Sequence, residues 1–562
     1  MTMETAILAE PDRPAALGWR GRHGWTLLTV AIAALIALPI VVVLLHVFVP
    51  AGGVWTHLWS TVLPRYLTNT LGLVVGVGIG VTLIGVGTAW LVVMFRFPGR
   101  GLFQWALLLP LAVPTYVIAY AYTDLLQFAG PVQTSLREWF EWGRNDYWFP
   151  QIRSLGGAIA LMSLVLYPYV YLLSRAAFIE QSVCALEVGR TLGRGPMRLF
   201  LGIAVPLARP AIAAGVALAL METLNDFGAV QFFGIDTFTT GIYRTWFGLG
   251  EQAAAAQLAA CLLIFVFVLL ALERASRRQA QYFHTSSRYR ELPQYVLGGG
   301  RAALAFTACA LPVLLGFLVP AGLLFVMHLR EGDPLFGAQF LAYARNSLTL
   351  ATVAAALAVA LAVLLSYGVR LKRNAVTSSA ARIASVGYAI PGSVIAVGVL
   401  IPLGWLDSRL NLFMYERFGI LPGLIFTGTM VALVYAYVVR FLAVSFNTVE
   451  ASLGKITPSM DAVSRTLGVG AGTTLRRVHL PIMRGSLLAA GILVFVDVMK
   501  ELPATIILRP FDFDTLAVRA HELASDERLA QASTSALTIV AVGIIPVILL
   551  SLAMSRSRPG SH

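Results

Sequence analysis

Charge is scarce in this chain. Only 12% of its 562 residues are Asp, Glu, Lys or Arg, whereas soluble domains carry about a quarter. Cysteine is scarcer still. Cys184, Cys261 and Cys309 lie far apart and form no CxxC motif, which excludes a disulfide framework and leaves three small packing residues. There are three lysines, and none completes G-x-x-x-x-G-K-[ST]: Lys372 follows Leu371, Lys500 follows Met499, and Lys455 is followed by Ile456. The polypeptide therefore has no phosphate-binding loop of its own, and energy for any work must come from a separate ATPase or an ion gradient. No His/Cys/Asp/Glu group has zinc spacing. His46 and His328 stand near the ends of apolar runs, as packing residues do, and no Ser-His-Asp arrangement can be argued. The sequence is not that of an enzyme, and no cofactor is expected on this chain.

Long apolar runs are what the chain has instead. It is 58% hydrophobic. About 20 apolar residues cross a bilayer core about 30 Å thick as a helix. Some twelve runs qualify, near 24–49, 67–95, 102–128, 154–178, 208–232 and 252–273, then 302–328, 345–369, 383–405, 420–446, 484–508 and 533–554. They are too long and uniform for barrel strands, so the expected class is an all-α polytopic membrane protein. The first run is too long for a signal-peptide core and follows a polar stretch with Arg13, Arg20 and Arg22, so it reads as a retained anchor. With both termini inside, the connections placed in the cytoplasm are net basic and the others net acidic. That distribution accounts for the formal charge of +13 without a nucleic-acid partner. Gly76 and Gly80 form a small-xxx-small step, with Gly85 and Gly87 beyond, and read as close-packing residues.

The chain repeats itself. "YLTNTL" at 66–71 matches "YARNSL" at 343–348, and "PTYVIA" at 114–119 matches "PGSVIA" at 391–396, both at one common offset. "METLNDFGA" at 221–229 matches "VDVMKELPA" at 496–504, and "TGIYR" at 240–244 matches "TLAVR" at 515–519, both at a slightly shorter one. Five ordered landmarks, with the RTLG tetrapeptide below, mean duplication. The expected layout is a cytoplasmic segment 1–23, a first membrane-spanning half 24–273, a basic linker 274–300, a second half 301–555 and a tail 556–562. Six spans in each half insert the same way up, so the halves should relate by a pseudo-two-fold axis along the membrane normal. Asn69 and Asn346 occupy matched positions at span starts and are expected to cap helices.

RTLG occurs at 190–193 and 465–468, each time with a proline thirteen residues after its glycine: Pro206 and Pro481. Both copies fall in cytoplasmic loops, about 179–209 and 447–484. Gly193 and Gly468 permit a sharp turn, and the prolines suit the start of the next helix. On physics alone the stretch is either a basic inner-face anchor or a short docking helix for a cytoplasmic partner. These stretches resemble the EAA loop of ABC importer permeases of the type I, MetI-like kind. The first copy carries Glu187, Arg190, Gly193, Val205 and Pro206; the second carries Arg465, Gly468, Leu480 and Pro481. Ala462 holds the aligned acidic site, with Asp461 one position early. The resemblance covers nearly the whole chain and is strongest to fused, two-half ferric-iron permeases, chiefly through residues 500–533. It implies coupling to two copies of a cytoplasmic ATPase, which would hold the ATP, through Glu187, Arg190, Gly193, Pro206, Asp461, Arg465, Gly468 and Pro481. It further implies a periplasmic or lipid-anchored binding protein outside, and a multi-pass place in a bacterial inner membrane. Related fused permeases carry thiamine and phosphonates.

Two acidic pairs complete the picture: Glu222 with Asp226, and Asp497 with Glu501, at equivalent places in the halves. Spacing of i,i+4 puts each pair on one face if the helix continues. Charge inside a bilayer is costly and marks a path, and hard cations suit carboxylate oxygen. The four are candidates for the translocation path and for transient metal contact. The alternative is structural, with Lys500 neutralising Glu501. Tyr116, Tyr120 and Tyr122 are weaker candidates for a cargo contact, and residues 509–531 could cover an outer cavity mouth. A gradient-driven secondary transporter, with the acidic pairs as proton or sodium sites, is the rival reading.

Overall fold

The computed structural model describes residues 19–180, 191, 195–278, 294–334 and 336–556, and all that follows concerns these. The first half contains α1 (Trp19–Leu45), α2 (Leu63–Met94), α3 (Leu155–Glu180), α4 (Val205–Asn225), α5 (Gly228–Phe232) and α6 (Gln252–Arg278). The second contains α7 (Gly299–Val313), α8 (Ala338–Leu371), α9 (Gly392–Phe418), α10 (Met430–Gly454), α11 (Pro458–Thr466), α12 (Leu480–Met499), α13 (Pro503–Leu508), α14 (Leu516–Ser525) and α15 (Leu529–Arg556). Eleven helices are long and apolar enough to cross a membrane, twelve if one bent pair counts as a span. The only sheet among the described residues is a two-residue parallel pairing, Phe95–Arg96 with Tyr295–Val296. The chain is an all-α, multi-pass membrane protein built as tandem halves.

The third expected span, 102–128, is not a straight helix. Arg100–Ala112 and Thr115–Phe140 meet at 91°, because Pro114 has no N–H to continue the ladder and holds an extended backbone. Pro391, its counterpart in the second copy of the repeat, likewise precedes the first residue of α9. There the helix beyond the break runs unbroken for 27 residues. Proline also widens helices here. The five-residue π turns Phe200–Ala204, Leu314–Leu318 and Leu475–His479 each stand two residues before a proline: Pro206, Pro320 and Pro481. A proline ring crowds the carbonyl four residues back and offers it no donor, and a wider turn relieves both.

Asn69 and Asn346 do not cap. Both lie inside helices, beyond the first turn of α2 and α8. Asn69 Nδ2 donates to the carbonyl of Asp236 at 2.9 Å, and Asn346 Nδ2 to that of Asp514 at 3.1 Å. The duplicated asparagines thus make the same tether in each half, satisfying a loop carbonyl that lipid could not.

Packing divides the chain into two compact units that do not follow the halves, because residues distant in sequence pack together. One unit comprises the described parts of Met1–Ala37, with Ala354–Tyr388 and Phe441–Val494. In it the Trp25 and Tyr367 rings meet edge to face at 5.2 Å. The other comprises the described parts of Leu38–Val353, Ala389–Arg440 and Phe495–His562. Its main seam is α2 against α3, and glycine makes the approach possible. A Cβ on Gly85 would lie 2.7 Å from Val170 Cβ and 2.9 Å from the Tyr167 carbonyl oxygen. Gly76 and Gly80 are equally tight against Ile159 and Ser163.

Gly85→Val therefore overpacks the seam and should cost about 1–3 kcal/mol, read as a lower unfolding midpoint in detergent. Gly87→Val has open space within 4 Å and should leave the midpoint nearly unchanged. Equal effects at both positions would show that the seam does not depend on close approach.

Candidate translocation and coupling site

The acidic pairs are not the helical faces that their spacing suggests. α4 ends at Asn225 and α12 at Met499, so each helix stops between the two members of its pair. Asp226 takes an extended backbone, and its Oδ1 accepts from the N–H groups of Ala229 (3.1 Å) and Val230 (3.0 Å) in α5. Thr115 Oγ1 donates to its other oxygen. Glu501, its partner in the second half, lies outside helix, and its Oε1 accepts from Ala504 N in α13 at 3.1 Å. Two helices broken at the same place need acceptors for the freed N–H groups of the short helices that follow, and the carboxylates supply them. Both are buried, 6% exposed at Asp226 and 5% at Glu501.

Lys500 does not neutralise Glu501. Its Nζ lies 3.0 Å from Asp497 Oδ1. The counter-charge for Glu501 is Arg440, whose Nη1 lies 3.1 Å from Glu501 Oε1, while Nη2 lies 3.8 Å from Glu222 Oε2. Asn225 Oδ1 accepts from the same Nη1 and from Gly392 N. Gly392 has no room for a side chain: a Cβ would overlap Glu501 Oε1 and stand 2.7 Å from Arg440 Nη1. One guanidinium thus joins Glu222 and Asn225 of the first half to Glu501 of the second. Sequence reasoning passed over Arg440 by attending to carboxylates alone. The signal was present, since an arginine in the apolar run "YAYVVRFLAV" is a candidate site by default. Among the described residues no three His, Cys, Asp or Glu side chains come together to hold a metal ion, so the four carboxylates do not close into a cage.

The three tyrosines are buried, and two have found partners. Tyr120 Oη lies 2.7 Å from His521 Nδ1, and Tyr122 Oη donates to the Leu315 carbonyl. Burial pushes the His521 imidazole down to about 4, so it stands uncharged beside Tyr120 at neutral pH. Its helix α14 lies in the segment expected to cover a cavity mouth, and most of its residues are buried.

The second RTLG copy forms the C-terminal end of α11. Pro458 opens the helix, and Gly468 closes it in the left-handed region at φ 70°. The Gly468 and Val469 N–H groups return to the carbonyls of Arg465 (3.0 Å) and Ser464 (2.9 Å), the usual glycine stop. Met460, Val463 and Leu467, spaced three and four apart, are 43%, 57% and 73% exposed and make one apolar face. Asp461 turns inward: its Oδ2 accepts from Arg370 Nε at 2.8 Å, and its Oδ1 lies 2.9 Å from His479 Nε2. Arg370 also donates to the carbonyls of Leu453 and Ile456 at the end of α10 and just beyond it. Arg465 is exposed, with Nε donating to the Asp461 carbonyl at 3.3 Å. Pro481 is the second residue of α12, and Pro206 the second of α4. Glu187, Arg190 and Gly193 of the first copy, like Cys184, lie outside the described residues.

The sequence has relatives. The family described as "Binding-protein-dependent transport system inner membrane component" matches residues 80–281. The "Fe(3+)-transport system permease protein FbpB 2" of Haemophilus influenzae is 27% identical over 526 residues, covering 92% of this chain and 96% of the relative. The "Molybdenum transport system permease protein ModB" of Escherichia coli K12 is 28% identical over 38% of this chain and 90% of its own. A "Putative 2-aminoethylphosphonate transport system permease protein PhnU" of Salmonella choleraesuis is 28% identical over 37% of this chain and 73% of its own.

Arg440→Leu would leave the Glu501 carboxylate buried without its counter-charge, at a cost of about 3–5 kcal/mol. The Arg440→Leu, Glu501→Leu double variant should recover most of that loss in denaturation of the purified protein. Single and double variants of equal stability would show that the two charges are not coupled.

Proposed function

We propose that the chain imports ferric iron as the permease of an ATP-driven importer, a reading supported by the match of residues 80–281 to the inner membrane component of binding-protein-dependent transport systems. The observation that carries the iron assignment is the likeness to the Fe(3+)-transport permease across nearly the full length of both chains. The molybdenum and phosphonate permeases match little more than a third of this chain. Thiamine or a phosphonate remains the alternative cargo for the same architecture.

In this reading the termini and both RTLG loops face the cytoplasm of a bacterial cell. Two ATPase subunits close on the loops, ATP sits on those subunits, and a binding protein delivers cargo from outside. The Met460, Val463 and Leu467 face of α11 enters an ATPase groove, while Asp461 and Arg370 hold that helix from behind. Arg465 and Gly468 end the helix, and Pro481 starts the span behind it; Glu187, Arg190, Gly193 and Pro206 serve the first half in the same way. Glu222, Asp226, Asp497 and Glu501 mark the path. Arg440 lies against Glu222 and Glu501, so a hard cation passing these oxygens competes with a guanidinium rather than entering an open cage. Contact of that kind is transient, as release of cargo requires.

Cells lacking the chain should lose uptake of labelled ferric iron and regain it with the intact chain, while labelled thiamine and 2-aminoethylphosphonate uptake stay unchanged. Unchanged iron uptake in cells with no second iron importer would remove the cargo assignment. Val463→Glu puts a carboxylate on the docking face and should lower ATPase co-purification at least about tenfold, the equivalent of roughly 1.4 kcal/mol. Full association would sink the docking reading.

A further inference from the structure

Behind the docking helix, within the smaller compact unit, lies a cavity of about 120 Å³ that the transport reading does not use. Its wall includes Trp25, Tyr367, Arg370, Lys372, Arg465 and Thr474. Three span ends meet there. Trp25 is the second residue of the span Gly24–Phe48, Arg370 and Leu371 end the span Ala338–Leu371, and Ala471 begins the span Ala471–Met499. Trp25 and Arg370 stand at the edges of the apolar runs 24–49 and 345–369, where the bilayer ends, so the cavity stands at headgroup depth, and the Ala471 helix continues past it into the loop. Trp25 fits that depth, since indole favours the membrane interface. The charge in the wall is unbalanced. Among the described residues, Arg370, Lys372 and Arg465 share the wall with a single carboxylate, Asp461, and that carboxylate is already engaged by Arg370 and His479. Two positive charges are left in excess around a small space of mixed polar and apolar lining that is open to an anion. Ala471 and Thr474 complete the same wall.

We propose that this cavity binds a phosphate group, and that its depth makes the source the headgroup of an acidic phospholipid. Trp25 and Tyr367 supply the interfacial wall for the glycerol end, and Lys372 and Arg465 supply the charge for the phosphate. Arg370 takes part only while it holds Asp461. The bound headgroup offsets the excess positive charge beside the Arg370–Asp461 pair and so braces α11 against the spans. The inference rests on the span ends and the cavity wall, and not on the identity of the cargo.

The test uses the purified, delipidated full-length chain without ATPase or cargo, so its outcome is independent of the iron assignment. Native mass spectrometry would count bound lipid during titration with phosphatidylglycerol, with phosphatidylcholine, and with inorganic phosphate. One phosphatidylglycerol should be retained in preference to phosphatidylcholine, and it should raise the unfolding midpoint. Lys372→Gln should weaken that binding about fivefold, the effect of losing roughly one basic side chain at an anionic headgroup. Arg373→Gln, the exposed neighbour that does not line the cavity, should leave it unchanged. Equal loss in both variants, or in neither, would overturn the site and reduce the effect to general surface charge. Saturation by inorganic phosphate with no lipid retained would overturn the phospholipid source.

Discussion

A helix that stops inside a bilayer must find partners for the backbone groups it leaves open, because lipid offers none. Much of this molecule follows from that demand. α4 and α12 stop at the same place in the two halves, and a short helix follows each. Asp226 and Glu501 accept from the free N–H groups of those short helices. A carboxylate used this way is fixed in place and carries charge into an apolar region. That charge calls in turn for Arg440, and Arg440 draws Glu222 and Asn225 into the same cluster. Gly392 is small because the cluster occupies the space its side chain would need. Backbone satisfaction therefore comes first, and the polar centre is built on it.

The coarse plan was open to reading in the sequence because it rests on length and repetition. Apolar runs of bilayer length, a nearly constant repeat offset and glycine-ended basic loops each have one simple physical cause. Gly468 illustrates the success: a left-handed helix stop needs a residue without Cβ, and the RTLG tetrapeptide places one there. The failures share a cause as well. Spacing of i,i+4 implies one face only while the helix continues. Nothing in "METLNDFGA" announces a stop after Asn225, although Pro503 in the second copy does hint at one. Asn69 and Asn346 looked like caps because they are polar and near helix starts. Their true partners, the carbonyls of Asp236 and Asp514, lie several helices further along the chain. Asp461 is similar, since its inward turn depends on Arg370, which belongs to the distant helix α8. Contacts at such range leave no periodic trace in a single sequence.

Duplication has given equal positions unequal duties. Asn225 and Lys500 stand at the same place in the repeat. The asparagine accepts from Arg440 and Gly392, whereas the lysine pairs with Asp497 one turn back. Likewise the backbone break at Pro114 leads to two short helices in the first half, and the break at Pro391 to one long span in the second. A fused chain can tolerate such divergence because each half always meets the same neighbour. An assembly of two identical subunits would have to accept every change twice.

The π turn before Pro481 has a further consequence. A π turn holds one residue more than the α turn it replaces, and each residue of an α-helix advances its side chain by about 100°. The surplus residue between Leu475 and His479 therefore sets the rotational phase between α12 and everything that precedes it, including α11. Loss of a single residue there would turn α11 and its apolar face by about 100° about the axis of the span, with no change in composition, charge or hydropathy. The aim of α11 is thus held in a counting register, which makes this short stretch far less tolerant of deletion than of substitution.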